Sequence, residues 1–151
     1  MLAKPSEIQL KNFAVLQSHY KFTPLKKLHK NIYELIDGYQ IDIDFAHQAK
    51  KKGEIQVFTK ISVNNTEAPL PGYSLFIEGS GIFLINEVDR IERSVKDNLK
   101  YYSTVSIMIG YLRNSLSNMT ASAPLGPYIL PPIDLKDLFR KKNEQAKSFK
   151  K

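Results

Sequence analysis

Tyr73-Ser74-Leu75-Phe76-Ile77-Glu78-Gly79-Ser80-Gly81-Ile82-Phe83-Leu84-Ile85 is followed directly by Asn86, and beyond it the spacing of apolar residues changes from two to three and four. Up to Glu78 the run alternates, with Tyr73, Leu75 and Ile77 on one face and Ser74, Phe76 and Glu78 on the other, as in a pleated strand. Gly79-Ser80-Gly81 interrupts the run and reads as a bulge or sharp bend. After Asn86, a candidate N-cap, the residues Val95, Leu99, Tyr102, Val105, Ile109, Leu112, Leu116 and Met119 recur at helical spacing. They predict one long amphipathic helix, or two in tandem with a break near Lys100-Tyr101. It ends near Thr120, before the breakers of Ala121-Ser122-Ala123-Pro124-Leu125-Gly126-Pro127.

Upstream of this switch the pattern is that of strands. Tyr39, Ile41, Ile43 and Phe45 alternate with Asp42 and Asp44, and after Lys50-Lys51-Lys52-Gly53 the residues Ile55, Val57, Thr59, Ile61 and Val63 alternate again, which predicts an antiparallel hairpin. Ile8 to Phe22 is a further strand whose alternation changes phase between Leu10 and Phe13, the mark of a bulge or bend. Downstream, Asp134 is placed to cap a short final helix through Ile133-Asp134-Leu135-Lys136-Asp137-Leu138-Phe139, fraying into a basic tail over about 140–151. Strands come first and helices afterwards, with no internal repeat or linker. The fold class is therefore α+β, one domain over residues 1–151.

Composition excludes several kinds of chemistry. The 151 residues include no cysteine, which removes disulfides, thiol nucleophiles and thiolate-held metals; 42% hydrophobic and 25% charged residues describe a globular chain rather than a disordered one. The N-terminal residues form no apolar leader and the longest apolar stretch, Ile107 to Leu112, is too short to span a bilayer, so a cytoplasmic protein is expected. The net charge of +7 raises the question of polyanions. Much of it lies in clusters at turns and tails: Lys26-Lys27 with Lys30, Lys50-Lys51-Lys52, and the lysines and arginine from Arg140 to Lys151. Such clusters read as solubilising.

Catalytic constellations are not visible. His19, His29 and His47 are scattered, and none is spaced to share a metal on one helical face. Asp42 and Asp44 share a strand face but nothing clusters with them, so they read as solvated outer positions. Gly79-Ser80-Gly81 lacks the lysine and hydroxyl of a phosphate loop. Asn64-Asn65-Thr66 formally matches a glycosylation acceptor and is read as a turn. No enzyme, metal or cofactor is expected.

Tyr111-Leu112-Arg113-Asn114-Ser115-Leu116-Ser117-Asn118-Met119 and, after the Pro/Gly loop, Leu130-Pro131-Pro132-Ile133-Asp134-Leu135-Lys136-Asp137-Leu138-Phe139 resemble the long helix and C-terminal segment of the SecB protein-export chaperones. The strand that ends in Gly81-Ile82-Phe83 is similar to that family's last long strand, so the resemblance runs from about Tyr73 to Phe139. It implies a four-stranded antiparallel sheet with a long helix packed on it and a homotetramer built as a dimer of dimers. It also implies a chaperone that holds unfolded polypeptides or preproteins in apolar grooves without ATP. The matching client-binding or subunit-interface residues are Tyr73, Leu75, Ile77, Leu125, Tyr128, Leu138 and Phe139. Tyr101, Ile107, Met108 and Tyr111 fall largely outside the main helical stripe and are expected to form an oligomer face. The resemblance also implies the SecA motor as a partner, yet this chain is basic and Phe76 falls where export SecB proteins carry an outward acidic residue. Two alternatives stand beside a general export role. One is a SecB-like chaperone dedicated to a single partner such as a toxin–antitoxin pair. The other is a lysine-rich nucleic-acid-binding domain, for which Tyr20, Tyr33, Tyr39 and Phe58 supply aromatics but no recognition motif is present.

Overall fold

The last strand in sequence lies inside the sheet, not at its margin. The computed structural model describes residues 1–25, 31–51, 53–85 and 92–148. The expected N-cap Asn86, His29 and Lys26, Lys27, Lys30, Lys52, Lys150 and Lys151 lie outside the described residues. Strands β1 (Ile8–Thr23), β2 (Ile41–Ala49), β3 (Glu54–Val63) and β4 (Gly72–Ile85) form a four-stranded antiparallel sheet in the order β1-β4-β3-β2. The predicted hairpin is β2–β3, with Ile41 opposite Val63 and Ala49 opposite Ile55. A short helix, α1 (Ile32–Asp37), adds to the elements that periodicity predicts; Asn31 caps it by accepting from the Tyr33 N–H at 3.1 Å.

The phase change in the first strand is a bulge, because the β1–β4 register shifts between Leu10 and Asn12. A second shift, between Val15 and Gln17, turns Leu16 outward. The bulge expected at Gly79-Ser80-Gly81 is absent. β4 runs unbroken and pairs with β3 without a shift from Val63–Leu75 to Glu54–Leu84. The glycines serve another purpose. A Cβ on Gly79 would stand 2.8 Å from Leu112 Cδ2 and 3.2 Å from the Ala14 carbonyl oxygen, and one on Gly81 would stand 2.5 Å from Met108 Sδ. Their missing side chains let the long helix lie close on the sheet. Gly79→Val is accordingly expected to lower the unfolding free energy by about 3 kcal/mol, read from the urea midpoint, because an overpacked core must shift backbone as well as rotamers.

The long helix is broken where the sequence allowed a break. It runs as α2 (Arg93–Asn98), a π-helical turn at Leu99–Ser103 and α3 (Thr104–Thr120), ending at the predicted residue. A π-turn adds a residue and rotates the helical segment before it relative to the one after it. The apolar stripe therefore does not carry through: Val105, Met108, Ile109, Leu112 and Leu116 are buried on the sheet, whereas Val95 and Tyr102 are exposed. The connection from β3 to β4 is tightly tied. Asn64, at φ 50°, donates from Nδ2 to the Leu70 and Tyr73 carbonyls at 2.8 and 2.6 Å and accepts from the Leu70 N–H at 2.8 Å. It is buried, so the turn reading holds and its amide is not presented to solvent.

The Pro/Gly loop lies against the core, as an apolar loop poor in charge must. The Tyr73 hydroxyl donates to the Gly126 carbonyl and accepts from the Leu125 N–H, both at 2.8 Å, while Tyr128 N–H donates to Thr120 Oγ1 at 2.7 Å. Arg113 Nε and Nη2 hold the Leu130 and Pro131 carbonyls at 2.9 and 3.2 Å. The last helix, α4 (Leu135–Ser148), begins where expected, with Asp134 Oδ1 accepting from the Asp137 N–H at 3.1 Å. It is not short, and most of the expected basic tail is part of it. Asp137 pairs with Arg140 and Lys141, and Arg140 with Glu144, all at helical spacing.

Candidate functional site

β2 is an edge strand, and the site is built on its open side. Lys50 N–H donates to Glu54 O and Asn64 N–H to Gln40 O, so the even-numbered residues of β2 bond to β3. The N–H and C=O groups of Ile41, Ile43, Phe45 and His47 consequently point away from the sheet. One of these donors is already occupied: Phe45 N–H donates to Asp44 Oδ1 at 2.9 Å.

Arg113 fixes the Pro131-Pro132 segment, and from there α4 crosses β2. Two clefts flank it. The first, about 450 Å³, is lined by Ile41 and Ile43 of the sheet and by Ile133 and Leu138 at the start of the last helix, with Asp42, Asp134 and Lys60 also in its lining. The second, about 400 Å³, is lined by His47, Tyr101, Tyr102, Phe139 and Asn143. Phe45 and Lys142 belong to both clefts. Between them the Phe139 ring lies 4.7 Å from Phe45 and 4.2 Å from Tyr102.

An ion pair reinforces this crossing. Lys142 Nζ donates to Asp44 Oδ1 and lies 5.6 Å from the Phe45 ring centroid, while Lys60 Nζ is 3.5 Å from Asp44 Oδ2. Burial pushes the Asp44 carboxyl up, but the Lys142 hydrogen bond and charge, with the Phe45 N–H and Lys60, outweigh it and hold the group below its ordinary value. The expectation that Asp42 and Asp44 are both solvated outer residues therefore holds for Asp42, which is exposed, and not for Asp44.

His47 sits between sheet and π-turn. Its Nε2 is 3.2 Å from Thr104 Oγ1 and its ring meets Tyr101 edge-on at 5.2 Å. Burial lowers its pKa most; the Tyr101 backbone opposes this and Lys100 adds to it, so His47 is neutral in the fold at pH 7. A depressed histidine contributes stability that is full above the unfolded value of 6.5 and is lost as pH falls through the folded one. Urea midpoints are expected to fall between pH 7 and pH 5, and His47→Gln to remove part of that fall. An equal slope in the variant would assign the acid sensitivity elsewhere.

The structure distributes the sequence-predicted residues unevenly. Leu138 and Phe139 stand at the clefts, and Tyr101 lines the aromatic one. Tyr73, Leu75, Ile77 and Tyr128 are buried beneath α3 and the Pro/Gly loop, as parts of the core, and Leu125 packs half-buried beside them. Met108 is likewise core, facing Gly81, because it continues the stripe of Val105 and Leu112. Tyr111, exposed, meets Phe13 of β1 at 4.9 Å, and Ile107 is half-buried. Among the described residues no group of three or more His, Asp or Glu is placed to hold a metal, and no helix is long and apolar enough to cross a membrane.

Residues 30–146 match the family described as preprotein translocase subunit SecB. The chain belongs to the SecB family. A solved SecB-like chaperone of Mycobacterium tuberculosis, Rv1957, in complex with a ChAD peptide from the Rv1956 HigA1 antitoxin, superposes with a TM-score of 0.57 at 12% identity. The match covers 84% of this chain and 88% of that chain, and shows the same fold. A protein of unknown function from Streptococcus agalactiae aligns with a TM-score of 0.45 at 12% identity, over 83% of this chain and 97% of that one. No curated protein sequence matches. This SecB-family protein is a chaperone, and the resemblance read from Tyr111 to Phe139 falls inside the matched span. Arg113, part of the sequence pattern, holds the Leu130 and Pro131 carbonyls a few residues before α4, and Pro132, also part of it, lines the first cleft.

Proposed function

We propose that this SecB-family chaperone holds unfolded or partly folded polypeptides, without ATP, along the open edge of β2 under the apolar wall of α4. The observation that carries the reading is the juxtaposition of main-chain groups at Ile41 and Ile43, which face away from β3 and pair with no described residue, with apolar side chains across a cleft of about 450 Å³. Main-chain pairing is blind to sequence, and apolar contact at about 25 cal/mol per Å² is non-directional, so such a groove accepts many clients. The test is aggregation of an unrelated denatured protein, diluted with and without this chain, lacking ATP, at low and high salt. Suppression near stoichiometric ratio that persists in high salt supports the proposal. Absence of suppression, or suppression at low salt only, removes it and leaves the polyanion-binding alternative.

We further propose a cytoplasmic homotetramer. The support is a second apolar surface on the opposite edge: Val15, Leu16, Tyr20 and Tyr111 are each more than 40% exposed. Light scattering at micromolar concentration is expected to give a dimer or tetramer, and Leu16→Asp with Tyr111→Asp to lower the mass. A wild-type monomer sinks this part of the reading.

Service to one dedicated partner is a second reading, favoured by the outer face of the sheet. There Phe76 stacks on His19 at 5.2 Å and Glu78 stands opposite Lys60. At the position where export SecB proteins carry an outward acidic residue, that face presents the Phe76 ring.

A further inference from the structure

Resting on the reading of the β2 edge as a client groove, we propose that the aromatic cleft beside α4 selects client segments in which an aromatic residue is followed by a carboxylate, and that this carboxylate takes Lys142 from Asp44.

The two clefts differ in charge. The first cleft is lined by four carboxylates, Asp42, Asp44, Asp134 and Asp137, against three lysines, Lys60, Lys141 and Lys142, each of which is paired with Asp44 or Asp137, so that Asp42 and Asp134 stand without a cationic partner among the described residues. The second has no acidic residue among the described residues of its lining. Its charged member is Lys142, and Lys100 stands at its border with Nζ 5.3 Å from the Tyr101 ring centroid. The floor of Phe45, Tyr101, Tyr102 and Phe139 fits a flat apolar side chain. The cation beside that floor fits an anion next to it in the client.

Asp44 makes the exchange consequential. One oxygen, Oδ1, accepts from both Lys142 and the Phe45 N–H. The carboxylate therefore caps the free edge of β2 at its centre, a device that keeps edges from pairing promiscuously. When a client carboxylate engages Lys142, Asp44 loses its hydrogen-bonded lysine and keeps only Lys60, 3.5 Å away on Oδ2, so the carboxylate can turn toward Lys60 and free the Phe45 N–H for the incoming strand. Recognition of the acidic residue and opening of the edge are then one event, and non-acidic segments must break the Asp44–Lys142 pair without replacing it.

The test uses three fluorescein-labelled peptides of the same alternating valine-phenylalanine sequence with Asp, Asn or Lys after the phenylalanine, measured by anisotropy against the full chain. The Asp peptide is expected to bind about tenfold more tightly than the Lys peptide. Lys142→Gln is expected to reduce that ratio to within about twofold while leaving the Asn peptide bound. Asp44→Ala, which uncaps Phe45, is expected to tighten the Asn peptide about threefold. Equal affinities for the three peptides, or a preference that survives in Lys142→Gln, would overturn the inference and leave the groove reading standing. Failure of all three peptides to bind overturns both.

Discussion

Replacing Asn64 by alanine is expected to lower the unfolding free energy by about 3–5 kcal/mol, a large part of the roughly 5–15 kcal/mol that a domain of this size commands. The side-chain amide is donor and acceptor to three backbone groups: the Leu70 and Tyr73 carbonyls and the Leu70 N–H. The Asn64 carbonyl also accepts from Ser74 Oγ at 2.9 Å. Truncation leaves the Tyr73 carbonyl buried without its donor, at about 1–3 kcal/mol, and loosens Leu70. The left-handed φ of 50° adds about 1 kcal/mol, because asparagine tolerates it and alanine does not. Asn64→Gly separates the two causes, since glycine removes the hydrogen bonds and keeps the backbone, and its deficit should be smaller by about that last amount. Urea denaturation of the three proteins reads this directly, and a loss under about 1 kcal/mol in the alanine variant would show that the β3–β4 connection rearranges freely.

Period told most of the elements. The hairpin of β2 and β3, the phase change at Leu10, the helix end at Thr120 and the Asp134 cap are local properties, written in residues a few positions apart. The order of strands in space is not legible in that way. Nothing local says that β4 inserts between β1 and β3 and leaves β2 at the edge, so Ile41, Ile43 and Phe45 read as half-buried strand positions and not as the floor of a groove. The same ignorance misplaced Gly79 and Gly81, because a glycine in a strand marks a bend or a close neighbour, and only the packed helix distinguishes them.

The π-turn explains the other displacement. A helical stripe drawn straight through Leu99–Ser103 assigns Tyr102 to the sheet; the extra residue sends it to Phe139 instead, whereas Met108 is core because it stands three residues after Val105 and four before Leu112 in the same uninterrupted helix. The resemblance to SecB supplied the sheet, the helix and Leu138-Phe139. It gave no hint of the Asp44–Lys142 pair, whose members lie 98 residues apart.

Leu138→Asp is expected to weaken client binding about thirtyfold at low and high salt alike, with the fold intact. Leu138 is half-buried on the wall of the larger cleft and lies in the first turns of α4, where a carboxylate is favoured by the helix dipole, so the substitution does not endanger the helix. Its effect falls on the client: roughly 80 Å² of apolar contact at about 25 cal/mol per Å² is about 2 kcal/mol, and a desolvated carboxylate beside Asp134 and Asp137 only adds to it. Leu138→Met, similar in volume, should bind nearly as the parent does. The pair also separates the rival classes. A polyanion held by the lysines of α4 would lose affinity steeply with salt and respond to added negative charge chiefly at low salt, since each phosphate contact releases counterions. An apolar groove loses its client at any ionic strength, and a thirtyfold deficit confined to low salt would transfer the site from polypeptides to polyanions.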